Sequence, residues 1–194
     1  KDWRKKWDQG DFPFLFVQLA SRKREGVADL QYALVREAQT YALKLPNTAM
    51  ATAVDLGEKN ETHPKNKKDV GLRLALAALK TAYNQNVVYS GPVYKSMKVD
   101  GNSIRVSFTE TGTGLVINGQ DLKGFKIAGS DQKFHLAKAI IDGNEVVVSS
   151  PLVPEPKAVR YCFESWCEGN LSNQEGIGAP QFRTDDWEVN TNSK

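Results

Sequence analysis

Two histidines occur in the chain, and one of them stands among groups able to share its proton. His63 lies in the run Asn60-Glu61-Thr62-His63-Pro64, with Asp55 a short way upstream. An imidazole with one ring nitrogen held by a carboxylate or a carbonyl can take a proton from a serine hydroxyl with the other. Glu61 and Asp55 are the candidate carboxylates, and a backbone carbonyl is a third option. Residue types alone leave a second reading open, in which His63 and Glu61 are solvated loop groups and Asp55 is a loop or helix cap. His135 sits in the alternating stretch Lys133-Phe134-His135-Leu136-Ala137, without a second titratable group in a catalytic pattern, and reads as a surface or structural histidine. Nothing has metal-ligand spacing: the histidines are far apart and the pair Cys162 and Cys167 has no further ligands nearby.

The elements that must position His63 alternate strand and helix. Residues 12–19 form an almost continuous apolar run, as expected of a strand buried on both faces of a parallel sheet. Residues 27–43 have helical spacing, with Ala28, Val35, Ala38 and Ala42 available for one face, and Pro46-Asn47 ends them. Residues 48–56 are a second apolar strand, and residues 57–65 a polar loop. In that order His63 falls beyond the C-terminal end of a parallel strand, where sites form in open α/β sheets. Asn66 is an expected N-cap, with Asp69 near the positive end of the helix dipole. Leu72, Leu76, Leu79 and Tyr83 then share one stripe of a long helix.

From Val87 onward helical spacing ends, and short β-branched and aromatic runs alternate with turn residues. Asp100-Gly101-Asn102 and Asp142-Gly143-Asn144 each stand between strand-like flanks, which predicts two hairpins of one antiparallel domain. Their likeness reads as shared turn chemistry. Further strands are expected near Leu115-Val116, at 125–128, at 159–163 and at Phe182-Arg183. Residues 1–88 are therefore assigned to an α/β unit and residues 89–194 to an antiparallel β-sandwich or jelly roll. Two strands do not stabilise an α/β sheet alone, so the rest of that sheet is expected from preceding sequence.

Composition removes several classes of function. A net charge of +3, spread among interspersed Asp and Glu, leaves no nucleic-acid footprint. The basic run at 1–6 reads as an exposed helix face. No apolar run approaches the ~20 residues needed to span a bilayer. Cys162 and Cys167 are expected to be two small buried or half-buried side chains, bonded only if the backbone brings them together. The sequons at Asn60 and Asn170 carry little weight. Tyr161, Phe163, Trp166 and Trp187 are candidates for stacking on a sugar ring, although packing in the core and between domains is the favoured reading.

The run Lys59-Asn60-Glu61-Thr62-His63-Pro64-Lys65-Asn66-Lys67 resembles the histidine block of sialate O-acetylesterases, a family within the SGNH hydrolases. Phe16-Val17-Gln18-Leu19-Ala20, Arg36-Glu37-Ala38-Gln39, Leu45-Pro46-Asn47-Thr48, Gly91-Pro92-Val93-Tyr94, Leu122-Lys123-Gly124-Phe125 and Phe182-Arg183-Thr184-Asp185-Asp186-Trp187 are similar to that family in the same order. The resemblance implies an SGNH-type α/β unit, here incomplete with two strands and two or three helices, followed by a β-domain. It implies serine-type hydrolysis of O-acetyl esters on sialic acid or another acetylated glycan, with His63 as base and no cofactor. It also implies a periplasmic, secreted or lysosomal location.

Three departures bear on that expectation. The position two before the histidine is Asp in the family block and Glu61 here, while the acid of SGNH hydrolases more broadly stands three before, at Asn60. The Gly-Gln-Ser-Asn type block that carries the family's nucleophile is absent from the chain. The serine, its oxyanion hole and the partner strands are thus expected in a missing N-terminal part of the same polypeptide, and the chain alone is expected to be inactive. Third, Tyr32-Ala33 stands where the family has Trp-Ala, a change expected to be absorbed by packing. A non-catalytic carbohydrate-binding or interaction module is the alternative.

Overall fold

In the computed structural model, which describes residues 1–23 and 29–189, the first apolar run forms β1 (Phe14–Val17). It pairs in parallel with β2 (Thr48–Ala51), Phe14 opposite Thr48 and Val17 opposite Ala51. Three helices surround the pair: α1 (Asp2–Trp7), α2 (Gln31–Tyr41) and α3 (Lys67–Thr81). Val27 and Ala28, assigned to the second helix from their spacing, lie outside the described residues. Among the described residues β1 pairs with β2 alone. It is not buried on both faces as expected: Phe14, Leu15 and Phe16 are half-buried and Val17 is 37% exposed. Arg4 of α1 ties the strand entry together, donating to the carbonyls of Phe12 (2.7 Å) and Asn47 (3.1 Å).

Helix spacing gave the right elements and the wrong faces. On α3, Leu72 is 54% exposed, whereas Arg73 and Ala77 are buried, and Tyr83, expected on the same stripe, lies beyond the helix end and is 69% exposed. The inward face is thus one residue out of phase with the apolar stripe. The reason is Arg73, whose guanidinium is carried inside because Asp55 awaits it there. On α2, Val35 and Ala38 are exposed, and Ala33 and Arg36 form the buried face. The start of α3 follows the sequence closely: Asn66 Oδ1 accepts from the Asp69 amide at 3.1 Å, and its own amide nitrogen donates to Asp69 Oδ2 at 2.7 Å. Asn66→Ala is expected to cost about 1 kcal/mol, read as a lower urea midpoint at unchanged slope.

The remaining strands are antiparallel. β3 (Val93–Asp100), β4 (Ser103–Thr109), β8 (Lys138–Asp142) and β9 (Glu145–Ser149) form one sheet in the order β3-β4-β9-β8. Both Asp-Gly-Asn turns lie in this sheet. Gly101 and Gly143 take positive φ (59° and 60°) and the asparagines do not, the pattern of a tight mirror-image turn with glycine first. Arg105 joins the two turns, bonding Asp100 at 3.0 Å and Asp142 at 2.8 Å.

A second sheet, β12-β10-β6-β7, contains β6 (Phe125–Ala128), β7 (His135–Leu136), β10 (Ala158–Tyr161) and β12 (Phe182–Arg183). β5 (Leu115–Ile117) pairs with β11 (Leu171–Asn173). Both four-stranded sheets feed one hydrophobic core, with Ile104, Val106, Val146 and Val148 from the first and Phe125, Ile127, Val159 and Tyr161 from the second. Phe182 stacks on Tyr94 at 5.0 Å and on Tyr161 at 5.8 Å. Among the described residues no helix is long and apolar enough to cross a membrane.

The helical and antiparallel parts are joined by buried polar groups. Arg36, fully buried, donates to the carbonyls of Tyr32 and Glu164 and to Ser21 Oγ. Burial lowers its pKa to about 10, partly offset by Glu164. Gln181 donates to the Ala33 carbonyl at 2.6 Å, and Arg183 pairs with Glu37 at 2.7 Å. Arg160 holds the buried Asp185 with two bonds, 2.7 and 2.9 Å. The two cysteines, Cys162 and Cys167, whose bonding the sequence left to the backbone, are both buried and form a disulfide with Cα atoms 5.3 Å apart. Cys162 has a left-handed φ of 48°, so the chain leaving β10 doubles back on itself and brings the two within reach.

Candidate functional site

β1 and β2 point their C-terminal ends the same way, and the side chains just beyond them define an edge. Gln18 and Thr52 meet there, the Thr52 hydroxyl donating to Gln18 Oε1 at 2.9 Å with both residues buried. The chain then makes a short 3₁₀ turn (Val54–Leu56) and enters the loop carrying His63. A groove of about 400 Å³ lined by Trp3, Arg4, Phe14 and Leu45 lies at the other, N-terminal end of the strands, away from this edge.

The His63 loop is anchored at several points. Gly57 passes so close to the backbone of Ser21 that a Cβ at Gly57 would overlap the Ser21 carbonyl. The Lys23 amide donates to the Lys59 carbonyl at 2.9 Å, and Arg22 donates to Thr62 Oγ1. Glu58 closes the loop from within, accepting from the Lys65 amide at 3.0 Å and pairing with Lys65 Nζ at 3.0 Å. Those bonds hold the Glu58 carboxyl below its ordinary range. The closure is therefore present above the usual glutamate range and lost as pH falls through the lowered value.

His63 is exposed, and among the described residues no side chain bonds its ring. Glu61 is exposed too; its amide donates to the Glu58 carbonyl at 3.2 Å, and its carboxylate does not bond the imidazole. Asp55 faces inward. Its two oxygens accept from Arg73 Nη1 and Nη2, each at 2.6 Å, and Arg73 also donates to the Thr52 carbonyl at 3.0 Å. Gly178 packs against this carboxylate: a Cβ there would stand 2.5 Å from Asp55 Cγ. The structure thus presents His63 and Glu61 on one open loop and gives Asp55 a bonded partner elsewhere.

His135 lies on β7 as a half-buried strand residue, as its alternating neighbours indicate. Tyr161 and Phe163 are buried, and Trp187 packs on Phe134 at 5.7 Å. Asn170 is absorbed structurally: its side chain accepts from the Lys123 amide at 2.8 Å and donates to the carbonyls of Asn118 and Asp121. Sequence reasoning missed Arg73, Arg22 and Ser21. Spacing gave no signal for them, since Arg73 lies off the apolar stripe of its helix and reads as outward-facing.

No protein-family model matches the chain. It is 28% identical to the sialate O-acetylesterase of Mus musculus over 198 residues, covering 87% of this chain and 35% of that protein. To the sialate O-acetylesterase of Homo sapiens it is 32% identical over 117 residues, covering 51% of this chain and 22% of that one. Among solved structures, a carbohydrate acetylesterase from Xanthomonas citri superposes with a TM-score of 0.90 at 43% identity, over 96% of this chain and 44% of that chain. The chain thus spans about a third of the mouse relative's length. The resemblance to sialate O-acetylesterases read from the motifs extends over most of the chain.

Proposed function

From this kinship with sialate O-acetylesterases, we propose that the chain supplies the histidine-bearing part of a serine-type acetylesterase acting on acetylated sialic acid or another acetylated glycan. The observation that carries the reading is the placement of an accessible imidazole, in an anchored loop, beyond the C-terminal ends of two parallel strands. Residues 1–88 then form part of an SGNH-type α/β domain, and residues 89–194 an appended β-sandwich. The nucleophilic serine and the oxyanion donors come from polypeptide outside these 194 residues. Among the described residues no serine stands in a glycine-flanked strand-to-helix turn.

His63 takes the proton of that serine as its oxygen attacks the acetyl carbonyl. The protonated ring then returns the proton to the departing sugar hydroxyl. In the second half, His63 deprotonates water, which releases acetate and restores the serine. Glu61 is the first candidate to orient the ring, since it shares the loop and its carboxylate is uncommitted. A backbone carbonyl is the second. Asp55 ranks below both, because Arg73 already takes both its oxygens.

The disulfide supports an oxidising location, periplasmic, secreted or lysosomal. The non-catalytic binding module gains no support from Tyr161 and Phe163, which are buried, or from Trp187, which packs on Phe134, while Trp166 is half-buried. The test is acetate release from an acetylated sialic acid. The isolated chain is expected to release none above the buffer rate, and the polypeptide that includes the serine-bearing sequence is expected to release it steadily. Turnover by the isolated chain would overturn the assignment of the nucleophile.

A further inference from the structure

The loop that carries His63 is pressed from behind by one short segment, and that segment is itself held by the disulfide loop. Ser21 is fully buried and its Oγ accepts two bonds, from Arg36 Nη1 at 3.1 Å and from the Cys167 amide at 3.3 Å. The next amide, Arg22, donates to the Ser165 carbonyl at 2.9 Å. Arg36 reaches past Ser21 to the Glu164 carbonyl, and the Ser165 amide donates to the Asp29 carbonyl. Residues 21–23 are thus fixed on one side by the turn that Cys162 and Cys167 close.

On their other side the same residues meet the His63 loop. Gly57 abuts the Ser21 backbone, Lys23 pairs with Lys59, and the Arg22 guanidinium bonds the Thr62 hydroxyl, one residue before His63. An exposed loop bond is worth little to stability. A small displacement of a catalytic group is worth much in rate, because the nucleophile's proton must be met within hydrogen-bond reach.

We infer that Arg22 and Ser21 are positioning residues for His63, acting through Thr62 and Gly57, and that the closed Cys162–Cys167 turn is the support they bear on. The inference rests on the esterase reading above. Opening the disulfide moves two electrons and two protons from an added dithiol to the S–S bond, giving two cysteine thiols and an oxidised reagent. The turn then loses its closure, and with it the carbonyl and amide that hold residues 21 and 22 in place.

The test uses the full-length polypeptide and p-nitrophenyl acetate. Thr62→Val keeps the side-chain shape and removes the oxygen that Arg22 reaches; Thr62→Ser keeps the oxygen. Thr62→Val is expected to lower kcat about 10- to 100-fold while KM changes less than about twofold. Its melting temperature should match that of the parent, and Thr62→Ser should recover most of the loss. Complete reduction with dithiothreitol, checked by thiol titration and retention of the far-ultraviolet spectrum, is expected to lower kcat in the same way and to be reversed by reoxidation. Normal kcat in Thr62→Val overturns the positioning role, and normal kcat after full reduction overturns the support by the disulfide turn. His63→Ala run in parallel separates the two levels: if it is inactive while Thr62→Val is normal, this inference alone fails; if it is fully active, the esterase reading fails first.

Discussion

His63→Ala in the polypeptide that contains the serine-bearing sequence is expected to lower kcat for acetate release by roughly 10⁴- to 10⁶-fold. Loss of a general base leaves the serine hydroxyl with its ordinary reluctance to ionise, and binding and oxyanion contacts alone sustain the residual rate. The change should fall on kcat, because the role proposed for the imidazole is played in the transition state. The loop is exposed and held by neighbours other than the ring, so melting should be little affected. A variant that turns over at a near-normal rate would remove His63 from the mechanism. Glu61→Ala, measured beside it, reports whether a carboxylate orients the ring: a much smaller loss than for His63 assigns that task to a backbone carbonyl.

Asp55→Ala is expected to act on folding. The variant leaves Arg73 buried with no countercharge, which should destabilise the protein by roughly 3–5 kcal/mol and lower its melting temperature by roughly 6–20 °C. The pair joins more than its own helix and turn, since Arg73 also donates to the Thr52 carbonyl at the end of β2, and Gly178 from the antiparallel part packs against the carboxylate. Replacing both charges with apolar residues of similar size, Asp55→Leu with Arg73→Met, should recover much of the stability, because no lone charge is then left inside. Wild-type stability in Asp55→Ala would refute the clamp. A variant of normal stability with kcat lost would return Asp55 to the catalytic machinery.

These two outcomes separate residues that the sequence presents side by side. His63, Glu61 and Asp55 are close in the chain and of similar chemical promise. Local patterning was sufficient for the things local physics decides: the Asn66 cap, the two glycine-first hairpins, the short strands of the β-part, and the placement of His63 in a loop after a strand. Each depends on a few consecutive residues, such as a side-chain oxygen facing a free amide or a glycine where φ is positive. The motif order added the family likeness, and the relatives and the Xanthomonas citri fold bear it out.

What the order of residues alone determined, then, was the course of most helices, strands and hairpins, and that His63 stands in a loop; it missed the strand at Leu171–Asn173 and ran the second strand on through Val54–Leu56, which form a 3₁₀ turn. Tertiary structure decided which way each helix faces, that Asp55 turns inward to Arg73, and that Ser21, Arg22 and the Cys162–Cys167 turn stand behind the His63 loop. The physical reason is that an arginine counts as outward-facing in any hydrophobic pattern until its partner is known. For Arg36 and Arg73 the partners come from distant segments, Glu164 and Ser21 for one and Asp55 for the other. Such pairings depend on three-dimensional approach, and spacing along one element carries no trace of them.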